Sequence, residues 1–129
     1  MTTGRRILIV EDDGDFRESL KDQLNLHEGF EVTTAETASK GMELAKSDHY
    51  ELLVFDISLP DMDGREAVRL LRKSGFKTPI IMLTGKVADA DQILGLDAGA
   101  NDYVTKPVDT DELLSCMERW IGTPGGRAR

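Results

Sequence analysis

Residues 51–64 read Glu51-Leu52-Leu53-Val54-Phe55-Asp56-Ile57-Ser58-Leu59-Pro60-Asp61-Met62-Asp63-Gly64. An apolar run, then an acid, then a loop carrying proline and glycine describes a short buried strand that ends in a carboxylate. In an open α/β sheet the C-terminal ends of the strands face the crevice where ligands bind. Three further stretches end the same way. Glu11-Asp12-Asp13 follows Arg6-Ile7-Leu8-Ile9-Val10, Thr84 follows Pro79-Ile80-Ile81-Met82-Leu83, and Lys106 follows Asp102-Tyr103-Val104-Thr105 and precedes Pro107. Acids, a hydroxyl and an amine are thereby aimed at one central carboxylate.

Working outward, five short apolar runs alternate with five amphipathic segments. The strands expected are Ile7–Val10, Glu31–Ala35, Leu52–Phe55, Ile80–Leu83 and Tyr103–Thr105. The first, third and fourth are apolar throughout, as strands buried on both faces are, whereas the second alternates and suits a sheet edge. Helices are expected around Phe16, Leu20 and Leu24; around Met42, Leu44 and Ala45; around Ala67, Leu70 and Leu71; around Ile93, Leu94 and Leu96; and around Leu113, Leu114, Met117, Trp120 and Ile121. Gly29, Gly75 and Gly99 stand where helices should stop. Asp109-Thr110-Asp111-Glu112 reads as the cap and first turn of the last helix. Strands alternating with helices imply crossover connections, a doubly wound parallel sheet and helices on both faces.

With 129 residues, 40% of them hydrophobic, the chain is long enough for one domain with a full core. That domain is expected over 5–121, with an N-terminal tail at 1–4 and a glycine-rich C-terminal tail or linker at 122–129. A net charge of −8 opposes binding to nucleic acid or anionic membrane, and Arg5-Arg6 and Arg127-Ala128-Arg129 are too small to reverse it. The single Cys116 rules out an internal disulfide and reads as a buried, inert thiol. No apolar run is long enough to span a bilayer, and acids stand where a signal peptide's apolar region would be, so the expected compartment is the cytoplasm.

Several carboxylates in one crevice repel one another and take up protons unless a cation neutralises them, so Asp12, Asp13 or Glu11 together with Asp56 point to a hard divalent metal. Mg²⁺ suits one or two carboxylates, a backbone carbonyl and a phosphate oxygen. With its charge so screened, Asp56 could attack phosphorus and form an aspartyl phosphate. Lys106 and Thr84 would then contact phosphoryl oxygens, which matters because such transfer depends on positioning and charge compensation. His27 and His49 lie outside this cluster.

In this order and spacing, 28 residues from Asp56 to Thr84 and 22 from Thr84 to Lys106, the motifs resemble those of the receiver domains of two-component response regulators. The resemblance covers residues 5–121. It implies a flavodoxin-like fold of five parallel strands in the order 2-1-3-4-5 with five helices, the arrangement of the bacterial chemotaxis regulator. It further implies that Asp56 is the phosphoacceptor and Asp12 a direct Mg²⁺ ligand. Glu11 acts through water, the Ser58 carbonyl completes the metal site, and Asp13 is a helix cap or peripheral. Thr84 matches the switch hydroxyl, Lys106 the phosphate-sensing lysine, which in the family usually precedes a cis peptide at Pro107, and Tyr103 the aromatic rotamer switch. Tyr103 reads equally well as a half-buried core aromatic with its hydroxyl in water.

A phosphorylation switch follows from the resemblance. Phosphate on Asp56 would bias two arrangements of the face made by the fourth helix, fifth strand and fifth helix, which binds a downstream protein. The donor would be a phosphohistidine on a sensor histidine kinase or histidine phosphotransfer protein, docked mainly on the first helix, with Phe16, Ser19, Leu20 and Gln23 as contacts, and on the loop after the fifth strand. The domain would assist its own phosphorylation and dephosphorylation without acting as an enzyme on a metabolite.

Some positions depart from the family's pattern. Gly85 replaces the usual alanine after the hydroxyl and should loosen the following loop, where Lys86 borders the pocket. The common dimer of this family uses acid–base pairs. Asp97 and Asp102 are kept, but Asn101 stands where a further acid is usual, and Cys116 and Glu118 stand where bases are usual. A monomer, either a single-domain regulator or the receiver of a hybrid kinase or longer regulator, fits better. Two other classes compete. A pseudo-receiver that never takes phosphate would lack an acid, the acceptor or the lysine, and all are present. A phosphohydrolase with an aspartyl-phosphate intermediate would want an acid two residues after its nucleophile, where Ser58 stands.

Overall fold

The computed structural model describes residues 5–26, 29–85 and 98–121. In chain order the elements are β1 (Arg5–Val10), α1 (Gly14–Asn25), β2 (Phe30–Ala35), α2 (Ala38–Ser47), β3 (Leu52–Asp56), α3 (Gly64–Lys73), β4 (Ile80–Thr84), β5 (Asp102–Thr105) and α4 (Thr110–Ile121). The sheet runs β2-β1-β3-β4-β5 with every neighbouring pair parallel, as expected. Four helices rather than five lie among the described residues. The helix expected around Ile93, Leu94 and Leu96 falls outside them, as do His27, Lys86, Asp97 and both tails.

The unbroken apolar runs of β1, β3 and β4 are accounted for by two cores. Ile7 and Ile9 of β1 face one side with Val54, Ile81 and Leu83, where Leu20 and Leu24 of α1 and Leu113 and Met117 of α4 cover them. Leu8 and Val10 face the other side with Leu53, Phe55 and Met82, under Ala38 and Ala45 of α2 and Ala67, Val68 and Leu71 of α3. Each of the valine, leucine, isoleucine, phenylalanine and methionine side chains among these contributes about 1.5–3 kcal/mol on burial, so both faces of the central strands drive folding. β2 is an edge strand, and its outward Glu31 is exposed between buried Phe30 and Val32.

Two apolar residues expected on core-facing stripes lie elsewhere. In α3 the buried stripe is Gly64, Ala67, Val68 and Leu71, at helical spacing, and Leu70 lies off it at 39% exposure. Trp120 is equally exposed because its indole N–H reaches outward to Asp102 Oδ2 at 3.1 Å.

Polar caps start the helices. Asp13 accepts from the Phe16 amide, Thr37 from Lys40, Asp63 from Arg65 and Asp109 from Asp111. Gly29, Gly75 and Gly99 all have positive φ, a backbone region that favours glycine, and Gly75 directly follows Ser74, the C-terminal cap of α3. The strand register places Asp56 beside Leu83 and Thr84 beside Thr105, so Glu11, Asp56, Thr84 and Lys106 leave the sheet along a single edge.

Candidate functional site

At that edge Glu11, Asp56 and Thr84 are the buried polar residues, at 1%, 2% and 1% exposure. Lys106 ties two of them together across the sheet, its Nζ lying 3.0 Å from Glu11 Oε1 and 3.2 Å from Asp56 Oδ1. The ammonium also sits 5.0 Å from the centre of the Phe16 ring. The Lys106-Pro107 peptide is cis. Glu11 Oε2 accepts from the Asp13 amide at 3.0 Å, so Asp13 is a cap and a neighbour of the acids but not one of the group.

Burial disfavours charge on these acids. The Glu11 carboxyl is pushed above its ordinary value mainly by burial, against the Asp13 amide and Lys106, which pull it down. Asp56 is likewise raised by burial, with Lys106 and the Ser58 amide opposing. For Lys106 burial works against charge, but the hydrogen bond to Glu11 and the charges of Asp56 and Glu11 outweigh it, and its affinity for the proton rises.

Carboxylate oxygens of Glu11, Asp12 and Asp56 lie within 4.8 Å of one another. Three carboxylates thus face one ammonium, an excess of negative charge that a hard cation would offset. The donors are all oxygen and converge from two strand ends, with solvent access at the exposed Asp12. This set fits a divalent ion that keeps part of its water, such as Mg²⁺.

The loop after β3 is braced on the same side. Asp61 accepts from the Ala38 and Ser39 amides at 2.8 and 2.9 Å, fastening the loop to the start of α2. Ser58 pairs with Asp63 across the turn, and the Gly64 amide donates to the Ile57 carbonyl. Ser58, Leu59, Asp63, Arg65, Thr84 and Gly85 line a groove of about 570 Å³ beside Asp56. A second groove of about 360 Å³ lies over α1 and is lined by Phe16, Ser19, Leu20, Gln23, Lys106 and Val108, among others.

The sequence singled out the acids, the hydroxyl and the lysine that meet at this edge but missed two residues that brace them. Arg17 Nη1 donates to the Glu11 carbonyl at 3.0 Å and reaches the Asp12 carbonyl at 3.5 Å. A signal was available: helical side chains lean toward the helix N-terminus, so an arginine one turn inside α1 returns over the loop before it. Asp61 carried no such signal, because its partners come from a distant helix. His49 pairs with Glu51 at 3.5 Å, before β3 and away from the acids. Tyr103 is half-buried against the core that includes Phe55 and Met82. Asp102 on the neighbouring position is held by Arg119 and by the Trp120 indole.

The family model described as the response regulator receiver domain matches residues 7–118. The cell cycle response regulators CtrA of Brucella ovis and Brucella abortus are each 38% identical over 124 residues, covering 96% of this chain and 53% of theirs. The chain therefore spans about half the length of these curated relatives. Among solved structures, a CheY-like receiver domain protein from Methanospirillum hungatei superposes with a TM-score of 0.83 at 37% identity, covering 91% of this chain and 93% of that one. The receiver domain of a Pseudomonas aeruginosa sensor histidine kinase, solved with a magnesium ion coordinated in the active site cleft, superposes with a TM-score of 0.84 at 33% identity, covering 94% and 100%. No helix among the described residues is long and apolar enough to cross a membrane.

Proposed function

The chain belongs to the response regulator receiver family, and from that premise we propose that Asp56 accepts a phosphoryl group from a phosphohistidine. The observation that carries the reading is the convergence of Glu11, Asp12 and Asp56 oxygens within 4.8 Å, with Lys106 bridging Glu11 and Asp56. Asp56 Oδ attacks phosphorus, the P–N bond to the donor imidazole breaks, and the imidazole leaves with the bonding pair. Lys106, already 3.2 Å from Asp56, exchanges that contact for a phosphoryl oxygen. The Thr84 hydroxyl, buried at the next strand end, donates to another. Glu11, Asp12, Asp56 and the Ser58 carbonyl would hold Mg²⁺, which supplies charge compensation for the incoming phosphoryl oxygens.

The groove over α1, with Phe16, Ser19, Leu20 and Gln23 on its wall and Lys106 at its end, supports docking of a sensor histidine kinase or histidine phosphotransfer protein there. Output passes through the face around β5 and α4, with Thr84 and Tyr103 as switch residues. The hold of Arg119 and Trp120 on Asp102 within one chain supports a monomer, because it occupies an acid that a dimer of acid–base pairs would use. We place the domain in the cytoplasm, without nucleic acid or membrane binding of its own, as a signalling module that acts on no metabolite. Treatment with acetyl phosphate, read by intact mass, tests the reading. A phosphoryl adduct that needs Mg²⁺ and is absent in Asp56→Asn supports it, and an unlabelled native chain overturns it in favour of a pseudo-receiver.

A further inference from the structure

We propose that Arg17 is a positioning residue for the metal site, holding the main chain of Glu11 and Asp12 so that their carboxylates converge on Asp56; the inference rests on the reading of those acids given above. The guanidinium contacts the main chain of these acids: its Nη1 donates to the carbonyl of Glu11 at 3.0 Å and lies 3.5 Å from that of Asp12. Its acidic neighbours Glu18 and Glu36 both stand 3.7 Å away with largely exposed side chains, so these pairs are weak. Yet the Arg17 side chain is only 13% exposed, which commits it to the loop rather than to solvent.

The need for such a brace differs between the two acids. Glu11 is already fixed by its amide on Ala35, by the Asp13 amide and by Lys106. The exposed Asp12 carboxylate has no hydrogen-bond or ion-pair partner among the described residues, so its direction is set by the main chain that Arg17 grips. Through Glu36 the same guanidinium also links this loop to the one after β2.

Charge and position make opposite forecasts, which makes the idea testable. A cation near the acids would by charge alone weaken Mg²⁺ binding, so its removal would tighten it. As a positioning group its removal should loosen binding by about tenfold, the usual penalty for losing a group that orients a metal ligand. The experiment is a Mg²⁺ titration followed by amide NMR shifts of the wild-type chain, Arg17→Met and Arg17→Lys, with metal-free melting curves in parallel. Arg17→Lys keeps the charge and most of the stem, so it serves if Arg17→Met fails to fold. Weaker binding in both variants supports the proposal. Unchanged or tighter binding in the folded variants, with only the melting temperature lowered, reduces Arg17 to a structural residue and overturns it. A wild-type chain that binds no Mg²⁺ overturns the reading of the acids as well.

Discussion

Gly64 and Asp56 touch through their main chains: a Cβ built on Gly64 would lie 2.1 Å from the Asp56 carbonyl oxygen and 3.0 Å from the Ile57 Cα. The start of α3 is thereby pressed against the residue that the site is built around. Backbone meets backbone here, so no side-chain rotation can relieve an added atom. The contact also fixes how tightly the loop carrying Ser58 folds back, together with the hydrogen bond from the Gly64 amide to Ile57.

Gly64→Ala is therefore expected to cost about 3 kcal/mol, at the upper end of overpacking penalties, and to reduce phosphoryl labelling of Asp56. Gly85→Ala is the contrast. A Cβ there meets nothing within 4 Å, so stability should stay within about 0.5 kcal/mol of wild type. Denaturant unfolding of both variants checks the pair, and equal effects would contradict the geometry.

Asp56→Asn should raise the stability of the metal-free protein while abolishing phosphoryl acceptance. Burial lifts the Asp56 pKa above that of the unfolded chain, so at neutral pH its charge opposes folding. The amide keeps the shape, and Lys106 keeps Glu11 as its partner. A gain of about 1 kcal/mol is expected, of the kind that follows when a functional site gives up a strained group. Thermal unfolding in EDTA at pH 7 measures it, and a lower melting temperature would show that the Asp56–Lys106 contact stabilises more than burial costs.

How much of this was legible depended on where each residue's partners lie. The apolar runs of β1, β3 and β4 announced a sheet covered on both faces, because period-two alternation disappears when both faces are buried. The polar groups of the candidate site were legible because each ends a strand or directly follows one. Arg5 and Arg6 were not read as part of β1, and for Arg6 the charge masks a packing role: it lies over the Tyr50 ring at 4.9 Å while its guanidinium pairs with Asp48. Arg72 was silent for another reason. It donates to the carbonyls of Phe76, Thr78 and Gly99, and such acceptors have no signature in side-chain identity.

Asn101 gives a further prediction. Its Oδ1 accepts from the Ile80 amide at 3.0 Å and from Arg72 at 2.8 Å, which joins the start of β4 to the approach to β5. Among the described residues the side chain is used only as an acceptor, so Asn101→Asp should be neutral or stabilising, with Arg72 at hand to offset the new charge. Asn101→Leu leaves a main-chain donor and a guanidinium without that partner and should cost about 2 kcal/mol. Chemical denaturation of the two variants separates them, and a large loss in Asn101→Asp would contradict this account.

The ion pair that joins the start of β1 to the end of α2 should make stability depend on acid in a narrow window. Arg6 Nη1 and Nη2 donate to Asp48 Oδ1 and Oδ2 at 2.6 and 2.9 Å, a two-point contact that holds the Asp48 pKa at about 2 against an ordinary value of 3.8. Because the folded state lowers this pKa, the contribution is complete above the unfolded value and disappears as pH falls through the folded one. Asp48→Asn should accordingly be less stable than wild type at neutral pH, with the difference shrinking below about pH 4 and vanishing near pH 2. The pair is exposed to solvent, so high salt should shrink the difference at neutral pH too. Urea unfolding of both chains across that range is the check. A difference that persists unchanged at pH 2 would mean that Asp48 acts through its place at the end of α2 and not through its charge.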